Sequence, residues 1–214
     1  MYTIAFFAIL LISAVFHEYM HGWTANELGD PTPKNLGRLT LNPAAHIDPL
    51  FTLLLPAMLL WATGGRFMFA AAKPVPFNPY NLKYPRYGPA IVGLAGPLGN
   101  LMLALVFSLI IRLVDLPMVV ASLASLVVWA NILLAIFNLV PIPPLDGSHV
   151  LISLLPPRWE GIVAFLEKYG LILFFFFLFF LSDWLLPIFS AVTYLFLGEK
   201  GIYILLYTMR QMSF

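Results

Sequence analysis

The stretch Phe16-His17-Glu18-Tyr19-Met20-His21-Gly22 lies at the end of an apolar run that covers residues 2 to 24. Two imidazoles and a carboxylate are costly in hydrocarbon, each by about a few kcal/mol at the bilayer centre. Such groups occur in membrane helices mainly where a function requires them. The stretch therefore predicts a membrane helix that carries a functional site.

Composition puts the whole chain in the class of polytopic membrane proteins. Of its 214 residues, 61% are hydrophobic and 10% are charged, whereas about 25% are charged in globular proteins. The formal net charge is +1, so there is no basic surface for nucleic acid. The absence of cysteine excludes disulfides, thiolate metal ligands and thiol nucleophiles. Because the first apolar run lacks a basic n-region, we expect a retained helix and not a signal peptide.

Apolar segments separated by charged or Pro/Gly-rich stretches define the expected fold. They fall at about residues 2–24, 50–63, 88–114, 119–140, 169–186 and 187–208. The segment from Leu50 to Thr63 has 14 residues and contains Pro56; as a helix it reaches only about 21 Å against a hydrocarbon core of about 30 Å. We expect an all-α polytopic membrane protein with about six apolar segments, either five crossings plus a re-entrant hairpin or six transmembrane helices. Residues 1–155 are predicted to form the core, and residues 156–214 the carboxyl-terminal helices of the same domain.

The positions of the basic residues predict the orientation in the membrane. Cytoplasmic loops carry an excess of Lys and Arg, and Arg112 is expected on the far side, where the turns carry Asp115 and Asp183. This bias predicts an outside amino terminus, an inside carboxyl terminus and a first helix whose site opens toward the cytoplasm of a prokaryotic inner membrane. The basic residues assigned to the cytoplasmic side are Lys34, Arg38, Arg66, Lys73, Lys83, Arg86, Arg158, Lys168, Lys200 and Arg210.

His17 and His21 have the spacing of a zinc site. Side chains four residues apart share one helix face, so both imidazoles can bind one zinc ion while Glu18 activates the bound water. Zinc needs a third protein ligand, which leaves one position for water. The candidates are His46, Asp48, Asp146 and His149.

Asp146 is the preferred third ligand because of the turn that precedes it. Pro141, Pro143 and Pro144 end the helix that begins near Val119 and free backbone polar groups, which membrane depth permits only against protein or a wet cavity. Opposite helix directions bring this turn to the same side as His21. The alternative is a helix-terminating turn at the membrane surface, capped by Asp-Gly.

Two further segments are open to interpretation. Met68 to Phe77 is predicted as a small β element, a strand pair on the cytoplasmic side that could bind an unwound peptide by strand addition; the alternative is an interfacial loop. Gly93, Ala95 and Gly99 allow a neighbouring helix to approach closely, and Asn100 could bond across that contact. We expect a structural role for this second group.

Three stretches in combination resemble the site-2 protease family of intramembrane zinc metalloproteases. They are His17-Glu18-Tyr19-Met20-His21, Gly96-Pro97-Leu98-Gly99-Asn100 and the run from Asn138 to Gly147. The likeness extends over about residues 13–150. The run Asn42-Pro43-Ala44-Ala45-His46-Ile47-Asp48-Pro49 further resembles the small bacterial and archaeal members. No stretch between the helices is long enough for the PDZ or CBS domain that some relatives carry.

The resemblance implies a zinc-dependent intramembrane metalloendopeptidase that hydrolyses peptide bonds in or near transmembrane segments. It implies that His17, His21 and Asp146 bind one Zn²⁺, that zinc-bound water is the nucleophile and that Glu18 is the general base. It also implies that Asn138 positions substrate or stabilises the oxyanion. The expected partners are membrane proteins with a transmembrane segment and the lipid bilayer.

Two alternative functions and several details stay open at the level of sequence. Intramembrane polar residues also mark ion paths, so a zinc-binding membrane transporter is the first alternative. A non-proteolytic relative that binds membrane helices is the second, although the presence of both Glu18 and Asp146 argues against it. The substrate, the trigger, the oligomeric state and the roles of His46, Asp48 and His149 are not predicted.

Overall fold

Helices dominate the computed structural model, which describes residues 1–54, 58, 61 and 72–212. Within these residues, five helical stretches are long and apolar enough to cross a membrane. The helices are α1 (Tyr2–Glu27), α2 (Thr32–Asn35), α3 (Gly88–Leu113), α4 (Met118–Asn138), α5 (Gly147–Leu154), α6 (Glu160–Phe176) and α7 (Leu186–Arg210). Short 3₁₀ turns occupy Pro43–His46, Pro79–Asn81, Pro157–Trp159 and Ser182–Leu185, and π-helical turns occupy Pro49–Leu54 and Phe177–Leu181. The predicted all-α membrane fold is confirmed.

The boundaries of the carboxyl-terminal helices differ from the prediction. Helix α6 begins at Glu160, nine residues before residue 169, where the predicted apolar segment starts. Its first turns contain Glu160, Glu167 and Lys168, which lower the hydropathy of a stretch that is nonetheless helical. The short helix α5 was also not predicted, because the prolines before it indicated only a turn.

The predicted β element is not supported. Residues 68–71 lie outside the described part of the chain, and residues 72–78 are irregular, with no strand in any described range. Pro74 and Pro76 have no backbone N–H, so this segment cannot complete a ladder of hydrogen bonds. Of the predicted re-entrant segment Leu50 to Thr63, residues 50–54 belong to the π-helical turn Pro49–Leu54. Apart from residues 58 and 61, the rest of that prediction lies outside the described residues.

The helices α3 and α4 form the centre of the molecule. α4 is the most deeply buried of the spanning helices and α6 the least. On α3, the buried side includes a row of residues spaced by four, namely Gly88, Val92, Gly96, Asn100, Ala104 and Ser108. Residues four apart lie on one face of a helix, and most of this row is small, so α1 and its neighbours can pack closely against α3.

A break divides α7 at Gly198, whose φ of 63° lies in the left-handed region that favours glycine. Two side chains of α3 bond to carbonyls freed by the break. Ser108 Oγ donates to the carbonyl of Phe196, and Arg112 Nη2 donates to the carbonyl of Leu195 at 2.5 Å. The break is therefore stabilised by contacts with a neighbouring helix.

The same region corrects one detail of the predicted topology. Lys200 Nζ lies 3.0 Å from Asp115 Oδ1, so Lys200 is at the end of the molecule where α3 turns into α4. The charge bias predicted these two residues on opposite sides of the membrane. The prediction is therefore wrong for one of the two residues, because the charge bias is a statistical rule for loops and does not account for an ion pair between Lys200 and Asp115.

A buried carboxylate joins the end of α1 to the segment that leads into α3. Asp30 is fully buried and accepts hydrogen bonds from Thr32 N at 3.1 Å, Thr32 Oγ1 at 2.6 Å, Asn81 Nδ2 at 2.9 Å and Asn78 N at 2.6 Å. Burial alone would raise the pKa of Asp30, but these donors outweigh it and lower the pKa below its usual value. We call this group of residues, Asp30, Thr32, Asn78 and Asn81, the Asp30 joint.

Candidate metal centre

The two histidines of α1 meet the carboxylate of Asp146 in a compact group. His17 Nε2 lies 3.0 Å from His21 Nε2. Asp146 Oδ2 is 2.9 Å from the first of these nitrogens and 3.2 Å from the second. Both histidines are buried. Among the described residues, this is the group of His, Asp and Glu side chains that brings three ligand atoms close enough to bind one ion.

In each imidazole ring, the hydrogen bond made by Nδ1 determines whether Nε2 is free to bind a metal ion. His17 Nδ1 lies 2.5 Å from Asn100 Oδ1, and His21 Nδ1 lies 2.7 Å from the carbonyl oxygen of Val92. Both partners are acceptors, so each neutral ring carries its proton on Nδ1. The two Nε2 atoms are then unprotonated, and their lone pairs face each other and a carboxylate oxygen.

This arrangement fits a metal ion. Three acceptor atoms at mutual distances near 3 Å repel one another unless a cation or a shared proton lies between them. Two imidazole nitrogens and one carboxylate oxygen are a set of donors that zinc accepts, and in metal sites the second ring nitrogen commonly donates to an oxygen, as it does here. The donor chemistry therefore fits Zn²⁺ with three protein ligands.

The local structure at Asp146 explains why its carboxylate is available. Asp146 is the N-cap residue of α5, yet its side chain makes no cap hydrogen bond to that helix. Instead, the carboxylate points to the two histidines. The alternative of a turn capped by this side chain is therefore not what the structure contains.

A glycine of α3 makes room for the imidazole rings. A Cβ atom on Gly96 would lie 2.5 Å from His21 Nε2 and 2.7 Å from His17 Cε1. Separations below 3.0 Å are not tolerated between such atoms. Gly96 is therefore required for the close approach of α3 to the metal centre.

Glu18 lies beside this group on the wall of a cavity of about 310 Å³. Its Oε2 accepts a hydrogen bond of 2.8 Å from the backbone N–H of Val75, so the segment of residues 72–78 holds the carboxylate in place. Ala72, Pro74, Val75 and Phe77 also line the cavity. The segment predicted as a strand pair thus borders the site as an irregular stretch of chain.

The other residues singled out by sequence are arranged differently. Asn138 lines the cavity, and its Nδ2 donates to the carbonyl of Leu134 at 2.9 Å. His149 also lines the cavity, and its ring lies edge-on to Phe77 with centroids 5.5 Å apart. His46 is fully buried, and its Nε2 bonds to the carbonyl of Thr40 at 2.9 Å. His46, Asp48 and His149 are not in the convergent ligand group.

Sequence reasoning missed the contacts that surround the histidines. Asn100 and Gly96 were assigned to helix packing or to a motif, without a contact to the rings. Val92 acts through its backbone carbonyl, which no side-chain pattern reveals. The four-residue spacing of Val92, Gly96 and Asn100, matched to that of His17 and His21, was the signal in the sequence that could have indicated this face.

These features define a class: a helical membrane protein with a buried group of two histidines and one aspartate that could hold a metal ion, next to a glutamate. The sequence profile of "Peptidase family M50" matches residues 114–182, which include Asp146. Similar proteins named "Putative zinc metalloprotease" are YwhC of Bacillus subtilis (strain 168), 36% identical over 77% of this chain and 75% of YwhC, and Rip2 of Mycobacterium tuberculosis H37Rv, 32% identical over 90% of this chain and 72% of Rip2. No solved structure matches the chain significantly.

The chain belongs to peptidase family M50, the site-2 protease family. It is a membrane metalloprotease by family, and the names of its relatives imply Zn²⁺ as the cofactor. The resemblance inferred from the three sequence motifs is confirmed.

Proposed function

We propose that this protein is an intramembrane zinc endopeptidase that hydrolyses peptide bonds in or near transmembrane segments of membrane proteins. The main support is the position of the convergent acceptor atoms. His17 and His21 lie on a helix long and apolar enough to cross a membrane, and Asp146 reaches them from the turn before α5. A hydrolytic site in this setting acts on substrates that reach it through the bilayer.

The roles of the individual residues follow from their chemistry. His17, His21 and Asp146 would hold the metal. A bound Zn²⁺ supplies a Lewis acid that polarises the scissile carbonyl and lowers the pKa of water toward about 7. Glu18 takes a proton from the attacking water and passes it to the leaving amine, so the peptide C–N bond breaks and a carboxylic acid and an amine result. The N–H of Val75 occupies Oε2 of Glu18, which leaves Oε1 for this proton.

A substrate helix must unwind before its peptide bond can be attacked, because its carbonyls are hydrogen-bonded within the helix. The cavity offers a mostly apolar wall together with polar groups of α4 and α5, including Asn138 and Asp146. In this proposal Asn138 contacts the unwound substrate or the developing oxyanion. Membrane proteins with a transmembrane segment are the substrate class.

The orientation is part of the proposal. Lys34, Arg38, Lys83 and Arg86 flank the end of α1 that carries the histidines and the start of α3, and an excess of such residues marks the cytoplasmic side. The active site then opens toward the cytoplasm of a prokaryotic inner membrane. Water reaches the cavity from that side.

The variant Glu18→Gln tests the proposal. A glutamine retains an oxygen that accepts from Val75 N–H but cannot take a proton. In proteoliposomes, the wild-type protein should cleave a single-span reporter whose helix carries a central Asn-Pro pair, and mass spectrometry should locate the cut in or next to that helix. We expect Glu18→Gln to lower turnover by at least about 10²- to 10⁴-fold while zinc content stays the same.

Two outcomes would contradict the proposal. Turnover retained in Glu18→Gln would remove Glu18 as the general base, and cleavage confined to a soluble loop of the reporter would argue against action in the membrane. Zinc flux across proteoliposomes that survives Glu18→Gln would favour the transporter alternative. Zinc content of both proteins is the control for an intact site.

A further inference from the structure

A chain of buried amide groups runs from His17 into the centre of the protein. Asn100 Nδ2 donates to Asn131 Oδ1 at 2.7 Å and to the carbonyl of Ser13 at 3.3 Å. Asn131 Nδ2 donates to Ser13 Oγ and to the carbonyl of Val127, both at 2.9 Å. Asn100 and Asn131 are fully buried, and α1, α3 and α4 each contribute to the chain.

The direction of every hydrogen bond in this chain is fixed by backbone carbonyls. The carbonyl oxygen of Val127 can only accept, so it requires the NH₂ group of Asn131, whose oxygen must then face Asn100. The carbonyl of Ser13 likewise requires the NH₂ group of Asn100. Asn100 therefore presents its oxygen to His17 Nδ1, and His17 must carry its proton there.

We propose that Asn131 is a positioning residue for the metal centre, acting on His17 through Asn100. By fixing the orientation of the Asn100 amide, it holds His17 in the tautomer whose Nε2 is free to bind a metal. The opposite orientation would give Asn100 NH₂ as a donor toward Nδ1 and would favour a proton on Nε2, which blocks the ligand atom. The inference rests on the metal site proposed above, and nothing in the sequence motifs assigns Asn131 a role.

The replacements Asn131→Thr and Asn131→Val form a matched pair. The two side chains have nearly the same shape and differ in one hydroxyl group. A threonine hydroxyl in a helix donates to the carbonyl four residues earlier, here that of Val127, and keeps a lone pair for Asn100 Nδ2. Threonine thus keeps a hydrogen-bond acceptor for Asn100 Nδ2, whereas valine removes it.

The measurement is the zinc dissociation constant of the purified full-length protein in detergent, by competition with a chelator. Loss of partners that orient a ligand lowers metal affinity by about 10- to 100-fold. We expect zinc affinity to fall about 10-fold in Asn131→Val and by less in Asn131→Thr. The control is Ser125→Ala, in which zinc affinity should not change. In the described structure, the buried Ser125 hydroxyl on α4 bonds only to the Ser122 carbonyl of its own helix.

A double-variant cycle separates positioning from general destabilisation. If Asn131 acts through Asn100, then Asn131→Val should cost little or no further affinity once Asn100→Leu is present. Independent, additive losses would overturn the proposal, as would wild-type affinity in Asn131→Val. If Asp146→Ala also retained zinc, the metal site itself would be wrong, which is a different result.

A second measurement, of the histidine tautomer, can be made on the wild-type protein and so does not depend on the folding of a variant. In the metal-free wild-type protein with ¹⁵N-labelled histidine, we expect His17 to be protonated at Nδ1. A neutral His17 with its proton on Nε2 would overturn the proposal. In Asn131→Val the fraction with a proton on Nε2 should rise, while in Ser125→Ala it should not.

Discussion

The metal centre and the Asp30 joint are both clusters of polar groups around a carboxylate, yet they are built in opposite ways. At the Asp30 joint, four hydrogen-bond donors surround one carboxylate, so every acceptor is satisfied by protein. At the metal centre, two imidazole nitrogens and a carboxylate oxygen face one another without a donor between them. A saturated acceptor holds a fold together, whereas convergent acceptors are suited to binding a cation.

The largest expected effect is a loss of zinc affinity on removal of the Asp146 carboxylate, which is not expected on substitution of Asp30. Asp146→Ala removes one of three ligands, so we expect zinc affinity to fall by more than the 10- to 100-fold known for outer partners. Unfolding of the metal-free variant is followed in parallel, so that a loss of metal binding is distinguished from a loss of fold. Zinc titration and thermal unfolding in detergent measure these effects. Zinc bound as in the wild type would show that another residue is the third ligand.

A smaller loss of metal binding is expected from Gly96→Ala. Its Cβ would lie 2.5 Å from His21 Nε2, and overpacking of this kind costs about 1–3 kcal/mol. If the imidazole rings move to relieve it, zinc affinity falls by about 5- to 150-fold. The control is Gly161→Ala, where a Cβ would meet no atom within 4 Å. Equal zinc affinities in the two variants would contradict the close approach of α3.

At the other cluster, Asp30→Asn should affect stability and not zinc. An asparagine has one acceptor oxygen and an NH₂ group that would face the existing donors. Hydrogen bonds to a charged group contribute about 1.5–3 kcal/mol each, net, so we expect a loss of about 3 kcal/mol at pH 7. Thermal unfolding measures the loss, and zinc affinity measured in the same variant should match the wild type. A large zinc defect would mean that the two clusters are coupled.

The smallest effect is a pH dependence of the same joint. The pKa of Asp30 is lower in the folded protein than its usual value near 3.8. The contribution of Asp30 to stability is therefore fully present above pH values near 4 and is lost as pH falls through the lowered pKa. Unfolding midpoints of the wild type and Asp30→Asn should converge as pH falls from 5 to 3. A constant difference over this range would exclude Asp30 as the titrating group.

The parts of the site that could be predicted from sequence are those set by local spacing and by the order of the helices. His17 and His21 are neighbours on one helix face, so their spacing alone predicts that they act together. Asp146 required the turn at the prolines and the alternation of helix directions. These are properties of local sequence and topology, and in the structure the three side chains lie close together.

The parts that were missed depend on long-range contacts. Asn100 lies among small residues, a pattern that is typical of any close helix contact, so its bond to His17 was not evident. The carbonyl of Val92 has no side-chain signature. In the predicted β element from Met68 to Phe77, Pro74 and Pro76 lack the N–H groups that a ladder needs.

The row of residues spaced by four on α3 has a further consequence. Val92 bonds to His21, Gly96 makes room for both rings, and Asn100 bonds to His17, so three successive turns serve one site. An insertion of a single residue between Val92 and Asn100 that the helix absorbed would rotate these two residues by about 100° relative to each other, so they could no longer bond to His21 and His17 at the same time. The site thus depends on the register of a helix that contributes no metal ligand, and insertions there should be tolerated far less than exchanges of individual side chains.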